Sequence, residues 1–456
     1  MMRIAICLLG LMMVGSVSAV EHWPQWRGPN HNGVSDAKEL PTTWSQTENI
    51  VWKAPLPAWS GGTPVIWGDR IFLTSPSKTE QSAEVEQREE QQPDQRRRRR
   101  GGFGGPRRDP GGQKLLLICV SKKDGSTLWE RELDEGNQLH QKHNNTSPSP
   151  VTDGKRVWVV TGTGVVTAFD VDGNQIWSKD LQEMYGRFGL NWGYASSPLL
   201  YDGKLIVEVL HGHRTDDPSY IVAFNPETGE TLWRQERDTD AVAESPDAYT
   251  TPAVFQSGEA THIVISGGDY VTGHDPKTGA EIWRTAGLNP DREGNYRVVG
   301  SPVVVDGLIY TPTRKKPLLA LRVDASGEVA TVWKWEGSGA PDVPTPVSDG
   351  VYFYMVDDRG LATCVDAKSG EPVWGPERTA QGTVSASPIL ADGKLYIVNE
   401  DAVTTVLEAG PAFKHVATNE LDGSYTLSSP VVSGSQLFVR TGTHLYCIGA
   451  GSQKQQ

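Results

Sequence analysis

Cysteine is scarce in this chain: 456 residues carry four. Cys7 lies in an apolar N-terminal run, which leaves Cys119, Cys364 and Cys447. No Cys-x-x-Cys and no Cys-x-x-Cys-His occurs. Their absence argues against a thiolate zinc site, a thioredoxin-type redox pair and an attached c-type haem. Gly-x-Ser-x-Gly and phosphate-loop patterns are missing as well, so two common routes to nucleophilic and phosphoryl chemistry are not marked. The apolar run at residues 4–14 is too short to span a bilayer comfortably. Positive charge is in deficit: 43 Lys and Arg stand against 56 Asp and Glu, a net charge of −13. That balance argues against general nucleic-acid binding.

The N-terminus has a short basic start at Arg3, the apolar run, and small residues at Ser16, Ser18 and Ala19. This is the pattern of a secretory signal cleaved after Ala19, and it leaves no transmembrane helix in the mature chain. No Cys follows the cleavage site, so a lipid anchor there is not supported. The expected location is the periplasm or the medium.

What the chain has in quantity is a repeat. Residues 195–236 hold two apolar runs around Asp202-Gly203, a hairpin dipeptide, then a third run from Tyr220 to Phe224 and a fourth carrying Trp233. The opening Ser/Thr-Pro recurs at Thr63, Ser149, Ser197, Thr251, Ser301, Thr345, Ser387 and Ser429. Most spacings are roughly 42–54 residues, close to those of propeller blades. The second half recurs as Ala223-x-Asn225-x-x-x-Gly229-x-x-x-Trp233, matched by Gly273…Trp283 and Cys364…Trp374, with looser copies ending at Trp129, Trp177 and Trp333. The copy at residues 407–415 has no Trp.

Four short strands cannot bury both faces of one sheet alone, so each unit needs neighbours of its own kind. The expected fold is therefore all-β: an eight-bladed β-propeller of four-stranded antiparallel blades, or seven blades if one loose copy is not a blade. The last copy lacks a fourth strand, and residues 49–54, with Trp52, supply one. Closing the ring in this way removes the open junction between first and last blades. Trp52, Trp129, Trp177, Trp233, Trp283 and Trp374 are expected to dock between blades, each over a small residue of a neighbour. The three cysteines occupy a small-residue slot in different blades, where Cys acts as a small apolar filler and stays unpaired.

The repeat signature resembles that of the pyrroloquinoline quinone (PQQ) repeat superfamily, which holds BamB-like proteins and quinoprotein alcohol dehydrogenases. The resemblance spans about residues 44–451 and speaks to fold more than to function. The organisation expected is a signal at 1–19, an arm at 20–43, the propeller at 44–451 and a tail at 452–456. An insertion at 76–113, with Arg96 to Arg100 among Gly, Glu and Gln, interrupts the first blade. It is nearly free of apolar residues and is expected to be disordered. In the arm, Trp23 and Trp26 are expected to cover apolar surface.

The long connections, after strands two and four, share one face, the usual place for binding residues held by a rigid scaffold. Residues just before a first strand should lie near the axis: Asn144, Asn145, Trp192, Tyr194, Tyr249 and Arg297. Aromatics, amides and Arg in a funnel suit a planar anion. His140-x-x-His143 and His211-x-His213 have metal-like spacing without an evident third ligand. Under the quinoprotein resemblance, PQQ and calcium would be implied as cofactors, with Asp247 or Glu244 as the carboxylate, Arg297 or Arg314 near the quinone, and Trp192 stacked on it. The vicinal Cys-Cys pair common in that group is absent, and the chain is short for a complete dehydrogenase. The preferred reading is a monomeric, exported platform without a cofactor that binds an envelope protein or a cell-surface ligand.

Overall fold

The structure, a computed structural model, describes residues 22–79, 109–258, 260–313 and 317–449. Eight antiparallel sheets follow one another as the blades of an eight-bladed β-propeller. The third blade is representative, with strands Leu199–Tyr201, Lys204–Val209, Tyr220–Phe224 and Thr231–Glu236 in that order from axis to rim. The others begin at Val65, Val151, Ala253, Val303, Val347, Ile389 and Val431. The eighth takes its outer strand from the other end of the chain: Ile50–Pro55 pairs antiparallel with His444–Ile448, setting Trp52 opposite Cys447. The copy without a Trp supplies Val403–Glu408 and Lys414–Glu420, the outer two strands of a complete seventh blade, which settles the count at eight.

The tryptophans follow one rule. Each small slot faces the indole across its own blade: Cys119 to Trp129, Ala168 to Trp177, Ala223 to Trp233, Cys364 to Trp374. The small residue under the indole in the next blade is instead the turn glycine. Trp52 covers Gly125, Trp129 covers Gly173, Trp177 covers Gly229 and Trp233 covers Gly279, and a Cβ on any of these glycines would come within 2.8 Å of the ring. Sequence reasoning merged two small positions that the fold keeps apart. Each indole N–H then donates to a carbonyl of the same turn: Trp52 to Lys122, Trp129 to Val171, Trp177 to Pro226, at 2.9–3.0 Å. Trp283 departs from this. Gly273 lets it sink deeper, and its N–H donates to His262 Nδ1 in its own blade. Trp129 and Trp374 are only partly buried, and Trp374 departs as well: its N–H donates to Gly410 O at 3.0 Å, but a Cβ on Gly410 would meet nothing within 4 Å, and the ring packs on Phe413 instead. Cys119, Cys364 and Cys447 are free and buried.

The Ser/Thr-Pro starts form a closed belt around the axis. The backbone N–H of each donates to the hydroxyl of the next, from Thr63 to Ser149 and onward until Ser429 returns to Thr63, at 2.9–3.3 Å. The following proline explains the choice. It holds the preceding residue extended and has no N–H of its own to satisfy beside the axis.

The N-terminal arm crosses the face of the short turns. Trp23 pairs with Ile66, Pro24 O accepts from Thr152, and Val34–Ser35 adds a parallel strand to the seventh blade at Leu390–Ala391. Arg27, nearly fully buried, donates to Pro346 O and Pro388 O, tying the arm to the sixth and seventh blades. Trp23 is 1% exposed, in keeping with a covering role. The 1–19 signal, most of the 76–113 insertion and the 452–456 tail lie outside the described residues.

Candidate functional site

On the long-loop face, a chamber of about 200 Å3 opens on the axis. The belt hydroxyls form its wall. Trp26 of the arm lines it too, so this indole faces the axial chamber rather than only covering blade surface. Its mouth is crossed by a small hairpin, Leu139–His140 paired with His143–Asn144. At the tip, Lys142 Nζ reaches Ser385 Oγ at 3.1 Å and Glu400 at 3.3 Å. Tyr425 OH donates to Lys142 O at 2.9 Å. The hairpin thus leaves the first blade and fastens beside the seventh and eighth blades, as a strap.

Of the residues that sequence reasoning placed near the axis, three line the chamber together: Trp192, Tyr249 and Arg297. Trp192 N donates to Tyr249 OH, and its indole N–H donates to Glu244 Oε1 at 2.7 Å. Arg297 lies over the Trp192 ring at 5.9 Å and reaches the same Glu244 oxygen at 3.4 Å. The lining also includes His143, whose burial pulls its pKa down to about 4, so it is neutral at pH 7.

The other candidates are engaged elsewhere. Asn144 donates to Trp59 O and accepts from Thr146. Asn145 donates to Gly136 O and pairs with His140 Nε2 at 2.7 Å, bracing the strap. Asp247 accepts from the backbone N–H groups of Asn191, Gly212 and His213. Burial raises its pKa to about 6, against those hydrogen bonds. Arg314 lies outside the described residues. His211 accepts from Gly189 N, with Nε2 against Pro218 O. Among the described residues, no group of three or more His, Cys, Asp or Glu is placed to hold a metal ion. The belt and the strap were missed. The Ser/Thr-Pro repeats were visible, but their meeting on the axis is a consequence of ring closure.

Tyr194 is buried between blades and donates to Glu208 O at 3.0 Å. The Glu208 carboxyl is itself fully buried, and desolvation lifts its pKa to about 8. Thr250 Oγ1 lies 2.8 Å from Glu208 Oε1 and 2.9 Å from Ser266 O. One hydroxyl proton cannot serve both acceptors, which fits a protonated Glu208 donating to Thr250. An acid whose pKa is raised on folding stabilises fully below its unfolded value and loses that contribution as pH rises toward the folded one. Stability should therefore fall between about pH 4.5 and pH 8, by an amount on the order of a few kcal/mol. Glu208→Gln should flatten that slope in urea unfolding at pH 5 and pH 8.

The family model for outer membrane protein assembly factor BamB matches residues 113–375 and 321–442. The chain belongs to the BamB family. BamB of Yersinia pestis is 26% identical over 332 residues, covering 70% of this chain and 76% of that protein. The structure of BamB from Moraxella catarrhalis aligns with a TM-score of 0.54 at 15% identity, over 74% of this chain and 95% of that one. Quinohemoprotein alcohol dehydrogenase from Comamonas testosteroni aligns at 0.64 and 10% identity, over 96% and 82%. At such identities these two structures speak to the fold alone. They match the PQQ-repeat resemblance, and BamB-type propellers and quinoprotein propellers share it. Among the described residues of this BamB-family chain, no helix is long and apolar enough to cross a membrane.

Proposed function

We propose that this chain is an exported, non-enzymatic propeller that holds a component of outer-membrane protein assembly on its long-loop face. The observation that carries this reading is how the polar groups of that face are used. Asn144, Asn145 and Asp247 are consumed in bracing loops, which makes a rigid display surface rather than a set of free reactive groups. The named activity of the BamB relatives supplies the kind of partner. A signal cleaved after Ala19 would deliver the chain to that compartment.

The quinone-dependent alternative fits these residues poorly. Both Asp247 oxygens hold backbone donors, leaving little for calcium, which wants several converging oxygens. Arg297 lies over the Trp192 ring, where a quinone would stack.

Photo-crosslinking from single positions tests the platform. A photoreactive residue at Arg187 or Asp216, both exposed on the long-loop face, should give adducts with outer-membrane assembly components. The same residue at Thr228, in a short turn, should give none. Adducts only from Thr228, or turnover of an alcohol with added PQQ and calcium, would overturn the reading.

A further inference from the structure

We propose that the axial chamber is a binding site for a small oxyanion, of phosphate or short dicarboxylate size, beneath the Leu139–Asn144 strap. The first reason is a surplus of donors. Each of the eight belt hydroxyls accepts a backbone N–H from the preceding blade. A hydroxyl that accepts still has its own proton to place. No protein acceptor among the described residues takes any of these eight protons, and all eight residues line the chamber. An occupant rich in acceptors is what such a wall fits.

Charge is the second reason. The protein carries a net charge of −13, yet no Asp or Glu is among the chamber's lining residues, while Lys142 and Arg297 are. Their partners, Glu400 for Lys142 and both Glu244 and Asp342 for Arg297, hold them in place from outside the lining. These carboxylates temper the field but do not oppose an anion by contact. The third reason is size. A chamber of about 200 Å3 leaves room for one such anion beside the hydroxyl wall.

The test uses the full exported chain and does not depend on the platform reading. Calorimetric titration with inorganic phosphate and, separately, with succinate is compared with sodium chloride at matched ionic strength. One of the two oxyanions should bind saturably at one site per chain, and which one it is identifies the occupant class. Lys142→Gln, at the strap tip, and Thr251→Val, in the belt, should each weaken that binding about tenfold or more. Circular dichroism checks that each variant is folded. Lys142→Gln decides the matter if Thr251→Val does not fold. No saturable binding beyond the chloride control would overturn the proposal, and so would binding that Lys142→Gln leaves unchanged.

Discussion

Replacing Trp233 with alanine should lower the stability of this chain by about 3–5 kcal/mol. The indole is 9% exposed, fills the gap to the fourth blade over Gly279, and donates to Pro276 O. Truncation removes that apolar burial and leaves a cavity that the rigid glycine turn cannot collapse into. It also leaves a carbonyl without its donor. The neighbouring Leu232 is a control, since it sits on the same strand at 46% exposure. Leu232→Ala should stay within about 0.5 kcal/mol of the parent. Urea unfolding followed by circular dichroism separates the two. Trp374→Ala should cost less than Trp233→Ala, because Trp374 is only partly buried. Equal losses at Trp233 and Leu232 would mean that strand pairing, not the wedge between blades, sets the stability.

The propeller was legible because a repeat states the same instruction eight times. Asp202-Gly203, Gly229 and Trp233 each have weak local meaning, and their fixed offsets in successive copies leave few folds open. Even the missing eighth strand could be found, since a ring with three strands in one blade points to a donor at the other end. The candidate site was legible only in part. Trp192, Tyr249 and Arg297 do meet on the axis, because position before a first strand is a property of the repeat. Asn144, Asn145 and Asp247 share that position or lie close to it, yet turn back into their own loops. Short amide and carboxylate side chains bond nearby backbone readily, and no spacing rule says which will do so. The strap was hidden for a different reason. Two paired residues on each side of Gln141 and Lys142 carry no periodicity, and the tip's partners Ser385 and Tyr425 are 243 and 283 residues away.

Deleting residues 50–55 should prevent the chain from reaching its native state. The strand covers His444–Ile448, places Trp52 over Gly125 and sends the indole N–H to Lys122 O in the first blade. Its loss removes one large wedge, exposes the edge of the eighth blade, and parts the antiparallel pairing that completes this blade from the two ends of the chain. Docking Trp52 is worth about 3–5 kcal/mol by the reasoning applied to Trp233. With the strand pairing added, the loss approaches the 5–15 kcal/mol that ordinarily separates native from unfolded chains. The deletion variant should lose its cooperative urea transition and become sensitive to protease at 25 °C. A peptide of residues 44–56 added in excess should restore part of both, because a vacant strand edge can take the same segment from solution. Restoration by that peptide, but not by one carrying Trp52→Ala, would show that the seam is closed by the indole as well as by backbone pairing. A deletion variant that unfolds cooperatively with parental stability would mean that the belt of eight hydroxyls holds the ring without the seam.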